Sequence, residues 1–102
     1  MNAQGGRNGN ALQAASFGGY DVIVRLLLGH GVDVNGHGGE YGNALQAASL
    51  GGHGVVVGLL LEHGAEVNTH EGEGKCALEA ASSHGHDAIV GLLLDHGADV
   101  NS

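Results

Sequence analysis

Proline and tryptophan are absent from the 102 residues, and cysteine occurs once. Without proline, turns must rely on the conformational freedom of glycine, of which there are 21. A single cysteine, Cys76, excludes an internal disulfide and fits a reducing compartment. Two tyrosines and one phenylalanine are the only aromatic residues, so the core must be built from Ala, Val and Leu. Positive charge is also scarce: three Lys and Arg stand against eleven Asp and Glu, for a net charge of −8. A nucleic-acid reader needs several basic groups to neutralise phosphates, and an anionic membrane surface asks for the same, so neither partner is expected. No apolar run approaches the ~20 residues of a transmembrane helix. The opening Met1-Asn-Ala-Gln-Gly-Gly lacks the charged-then-apolar pattern of a signal peptide. An intracellular, cytoplasmic setting is expected, for the chain alone or as a piece of a larger protein.

What the chain does have is a repeat of 33 residues. Asn10-Ala-Leu-Gln-Ala-Ala-Ser16 returns as Asn43-Ala-Leu-Gln-Ala-Ala-Ser49 and, altered, as Cys76-Ala-Leu-Glu-Ala-Ala-Ser82. Leu26–Leu28, Leu59–Leu61 and Leu92–Leu94 keep the same step, as do Val34-Asn35, Val67-Asn68 and Val100-Asn101. Between residues 9–35 and 42–68, 19 of 27 positions are identical. Such a period marks a stacked array in which each unit buries its apolar face against its neighbours. A single domain over residues 1–102 is expected, with units at about 5–37, 38–70 and 71–102.

Each unit reads as loop, short helix, turn, second helix, loop. Asn43 and Gln46 have the spacing of a capping box, in which the Asn side chain accepts from the helix N-terminus and the Gln reaches back. Asn10 and Gln13 repeat it, whereas Cys76 and Glu79 predict a weaker cap with an acid suited to the helix dipole. Small residues from Ala44 onward let a neighbouring helix come close, and Gly51-Gly52 ends that helix. The second helix spans roughly Val55–Glu62 and is closed by His63-Gly64. It is too short and too apolar to be stable without packing. Gly58 and Gly91 fall inside second helices, where each costs ~0.5–1 kcal/mol.

The second unit, Asn43-Ala-Leu-Gln-Ala-Ala-Ser-Leu-Gly-Gly52-His53 followed by Val56-Val57-Gly58-Leu59-Leu60-Leu61-Glu62-His63-Gly64-Ala65-Glu66-Val67-Asn68, resembles an ankyrin repeat. The match needs no insertion, and three copies cover essentially the whole chain. The Gly-Asn-Ala-Leu-Gln-Ala-Ala-Ser wording also looks like arrays found in large fungal multidomain proteins. Two departures stand out: Asn-Ala or Cys-Ala replaces the family's Thr-Pro, and Gln or Glu replaces the His of its Thr-Pro-Leu-His tetrapeptide. Hydrogen bonding between neighbouring units through that His therefore cannot be assumed. The resemblance implies an all-α solenoid of helix-turn-helix units with projecting loops, no enzymatic activity, no cofactor, and binding of another protein through loop tips and first helices.

The resemblance also implies which positions face a partner. In unit one these are Arg7, Phe17 and His30. In unit two they are His37, Glu40, Leu50 and His63, with Tyr41 adjacent. In unit three they are His70, Glu73, Lys75, Ser83, His84 and His96. Phe17, Tyr41 and Leu50 are the expected anchors, because apolar and aromatic groups near a patch centre dominate binding energy. Neither end of the array carries the polar face that terminal units of solenoids normally show. Unit one keeps Phe17, Val22, Ile23 and Val24, and unit three keeps Ile89, Val90 and Leu92–Leu94. An end face containing Ile89, Val90 and Leu93 is expected to be exposed and available for head-to-tail self-association, a contact that need not close.

Eight histidines invite a metal reading, and their spacing argues against one. His30, His63 and His96 occupy equivalent positions, one unit width of ~10 Å apart, whereas zinc ligands all lie ~2 Å from one ion. His53 and His86 match the family's Gly-His scaffold position. Cys76 stands at a helix start with no fixed cationic partner except Lys75, and reads as a small buried residue. The glycine clusters lack the strand-to-helix context of a phosphate loop.

Overall fold

A computed structural model describes residues 11–38, 42–68 and 76–98. Among these it contains six helices, α1 (Ala11–Gly18), α2 (Asp21–Gly29), α3 (Ala44–Gly51), α4 (Gly54–Glu62), α5 (Ala77–Ser83) and α6 (Asp87–Asp95). Two-residue strands β1 (His37–Gly38) and β2 (Gly42–Asn43) pair antiparallel ahead of α3, with His37 opposite Asn43. The helices fall into three pairs, α1/α2, α3/α4 and α5/α6, each joined by a short turn that reverses the chain. First helices pack on first helices, α1 on α3 and α3 on α5, and second helices follow in a parallel layer.

Local chemistry explains the helix boundaries. The Asn43 side chain accepts from the Gln46 backbone N–H at 2.8 Å, and the Asn43 N–H donates to Gln46 Oε1 at 3.0 Å. This is the expected capping box, built inside the fold where both residues are buried. Asn10, the corresponding cap of α1, lies outside the described residues. Cys76 stands at the N-cap of α5 with extended backbone, and its side chain does not make the capping hydrogen bond, leaving Glu79 in the first turn to favour the dipole. At the other end of α3, Gly52 takes φ +79°, the left-handed conformation that a side chain resists.

The first-helix layer is close-packed because its contact residues are small: Ala44, Ala47, Ala48, Ala77, Ala80 and Ala81 are all buried. Leucine and valine fill the space between the two layers, with Leu12, Leu45, Leu60, Leu93, Val24, Val56 and Val57 almost wholly removed from solvent. Val34 and Val67 pack against this core from the loops.

One expectation is overturned. Ile89 and Leu93 are 2 % and 0 % exposed, so they do not form an end face. Residues four apart lie on one stripe of a helix, and the Ile89/Leu93 stripe points back into the stack, towards the preceding unit. The neighbouring stripe, Val90 and Leu94, points onward: Val90 is partly buried and Leu94 is 42 % exposed. At the other end Val24, expected with the exposed apolar group, is fully buried. The residues uncovered there are Tyr20, Val22, Ile23 and Leu26.

Candidate functional site

The expected partner-facing residues separate into two rows. Phe17, Leu50 and Ser83 occupy the last turns of α1, α3 and α5. Because these helices lie side by side, the three residues form a line across the first-helix layer. It grades from aromatic to polar: Phe17 is 38 % exposed, Leu50 half-buried and Ser83 exposed. His84 adjoins the end of this line as the C-cap of α5. Its Nδ1 bonds the Ala80 carbonyl at 3.1 Å, and its ring stacks on His86 with centroids 6.0 Å apart.

His30, His63 and His96 cap the C-termini of α2, α4 and α6 and are exposed. Each pair is antiparallel, so the end of a second helix returns to the start of its first helix. This histidine row is therefore a full helix length, ~12 Å at 1.5 Å per residue, from the Phe17 row. The Nδ1 atoms of His63 and His96 bond the Leu59 and Leu92 carbonyls at 2.9 Å. Since a carbonyl only accepts, Nδ1 carries the proton, and the imidazoles serve to close their helices.

Of the remaining expected residues, His37 has its backbone in β1. Arg7, Glu40, Tyr41, His70, Glu73 and Lys75 lie outside the described residues. No group of three or more His, Cys, Asp or Glu residues that could hold a metal occurs among the described residues. The Cys76 side chain is fully buried, out of reach of any substrate.

Sequence reasoning passed over the asparagines that join the units. Asn35 Nδ2 donates to the Gly64 carbonyl at 3.2 Å, and Asn35 Oδ1 accepts from the Glu66 N–H at 2.9 Å. Asn68 donates to the Gly97 carbonyl at 3.2 Å in the same way. Repetition of Val-Asn at the 33-residue step was the available signal. Asn68 also lines an open cavity of about 470 Å³, with Leu61, Ala65, Glu66, Val67 and His96, on the histidine side of units two and three. Gln13, which stands where the resemblance placed a His, donates from Nε2 to the Gly36 carbonyl at 3.4 Å, tying α1 to the loop that opens unit two.

The rings before the second helices play a different part. His53 lies so close to the preceding unit's turn that a methyl group at Gly19 would fall 2.5 Å from its Nδ1. His86 approaches Gly52 likewise, at 2.7 Å. The Gly-Gly turns thus admit the next unit's imidazole.

Helix pairs stacked in two layers, the strand pair ahead of α3 and asparagine ties between consecutive units agree with the family comparison, in which the pattern for ankyrin repeats matches three copies over residues 11–102. The chain belongs to the ankyrin-repeat family. Its all-α solenoid is that of the family, and ankyrin repeats are in general protein–protein interaction modules rather than catalysts. A search of curated proteins found no significant match. Among the described residues, no helix of this ankyrin array is long and apolar enough to cross a membrane.

Proposed function

We propose that this chain is a non-catalytic binding module that holds another protein against its first-helix layer and loop tips. The observation that carries the reading is the line of Phe17, Leu50 and Ser83 across three rigidly packed helices. A partner meets an aromatic anchor, an aliphatic one and a hydroxyl in fixed order, without having to organise them on binding. Apolar groups at one end of the line provide the energy, and the polar end sets direction. The net charge of −8 favours encounter with a positively charged partner surface. The one thiol is fully buried, which suits a surface that binds without reacting.

The test uses the third unit's own residue. Phe17→Ser and Leu50→Ser each reproduce the Ser83 position. The wild-type chain and the double variant are used to capture proteins from a proteome-wide display library, with urea unfolding as the control for the fold. Loss of the wild-type binding set in a folded double variant is the expected result. An unchanged set would show that binding occurs elsewhere on the chain.

A further inference from the structure

The two end faces of the array carry the side chains that make its internal interfaces. Inside the stack, the onward stripes Val24/Leu28 and Val57/Leu61 meet the backward stripes Val56/Leu60 and Ile89/Leu93. At the last unit the onward stripe is Val90/Leu94, identical in residue type to the first two. Leu94 is 42 % exposed, whereas Leu28 and Leu61 are 7 % and 8 %. At the first unit the backward stripe is Ile23/Leu27, identical to Ile89/Leu93. Ile23 is 47 % exposed and the adjoining Leu26 59 %. The first-helix layer behaves alike: Ala11 and Ala14 are exposed where Ala44, Ala47, Ala77 and Ala80 are buried.

The turns continue the same series. The ring of His53 sits over Gly19 and that of His86 over Gly52. Gly85 is the next turn glycine, at φ +70° with open space where a ring would lie. Tyr20 is the first ring of the series and is 60 % exposed. One end offers a ring and the other an empty place for it.

We infer that the N-terminal face of this chain takes the C-terminal face of a second copy, in the register of the internal interfaces. Ile23, Leu26 and Leu27 meet Val90 and Leu94 of the other molecule, and the Tyr20 ring covers its Gly85. The occupant is a second copy because the exposed onward stripe has the residues that the backward stripe already accepts within the chain. The contact is heterologous, so it propagates rather than closing into a symmetric dimer. One residue sets its strength. Gln13 and Gln46 on the onward side of the first helices are buried, but the equivalent Glu79 is exposed. Stacking would bury a carboxylate there, which makes association weaker than the internal contacts.

Light scattering after size exclusion, across a hundredfold range of concentration, tests this on the whole chain. Wild-type mass is expected to rise above the 10.1 kDa monomer with concentration. Leu26→Lys and Leu94→Lys, both at exposed positions, each remove one face and should remain monomeric. Mixed in equal amounts they should give twice the monomer mass and no more, because each supplies the face the other lacks. Glu79→Gln should lower the concentration at which growth begins about tenfold. Circular dichroism confirms that the variants are folded. A wild-type chain monomeric throughout, either lysine variant growing like the wild type, or a mixture that stays monomeric would overturn the proposal. Phe17→Ser should leave the mass series unchanged, which separates this contact from partner binding on the first-helix layer.

Discussion

Units one and two are almost the same sequence, yet equivalent residues have opposite surroundings. Ile23 is 47 % exposed and its counterpart Val56 1 %. Leu26 is 59 % exposed, whereas Leu59 is packed against the core. Ala14 faces solvent, and Ala47 is wholly buried. The third unit mirrors this on its other side, where Leu94 is exposed and Leu28 and Leu61 are not. In a stack of this kind the environment of a residue depends on which neighbours its unit has. The same leucine is core in one copy and surface in the next.

Substituting one residue type at equivalent positions breaks that comparison most directly. Ile89→Ala deletes fully buried atoms and is expected to cost about 2–5 kcal/mol. Ile23→Ala, the same change two units earlier, should cost less than about 1 kcal/mol, because much of the side chain already contacts water. Urea unfolding of dilute protein measures both, and equal losses would mean that the N-terminal face is covered in solution. Next in size is the cap comparison. Asn43→Ala removes a buried capping box and should lower stability by about 1–2 kcal/mol. Cys76→Asn installs the missing cap on α5 and should raise stability by about 0.5 kcal/mol, seen as a small increase in the urea midpoint. Smaller still are the helix glycines. A Cβ at Gly58 or Gly91 would meet nothing within 4 Å, so either change to Ala should gain about 0.5–1 kcal/mol. Gly52→Ala, at φ +79° and against His86, should instead destabilise. A gain there would contradict the close packing of the turn.

Much of the fold was legible because its signals are local. The capping box spans Asn43 to Gln46, within one helical turn. α3 and α4 follow the small-residue and Leu-rich runs, and Gly52 stops α3 where expected. The Phe17, Leu50 and Ser83 row follows from the repeat step, since equal spacing along the chain becomes adjacency across the layer. The exposure of Ile89 and Leu93 was misread because a short, wide apolar helix has two neighbouring stripes, and sequence does not say which faces the preceding unit and which the next. That assignment depends on the handedness and direction of stacking. The repeat step also gives the row of His30, His63 and His96, but its distance from the Phe17 row, a helix length, is set by the antiparallel pairing of helices.

The 33-residue period, the helix caps and the shortage of aromatic residues were sufficient to specify an all-α array with a small-residue core. These are properties of neighbouring residues and of composition, and they survive without knowledge of long-range contacts. Tertiary structure decided the rest: which side of each second helix looks forward, that Asn35 and Asn68 tie consecutive units, that imidazoles lie over the glycine turns of the unit before, and that each end of the stack leaves a different stripe uncovered. Each of these joins residues roughly 30 positions apart, as a repeat stack requires, and such contacts come into being only when one unit is laid on the next.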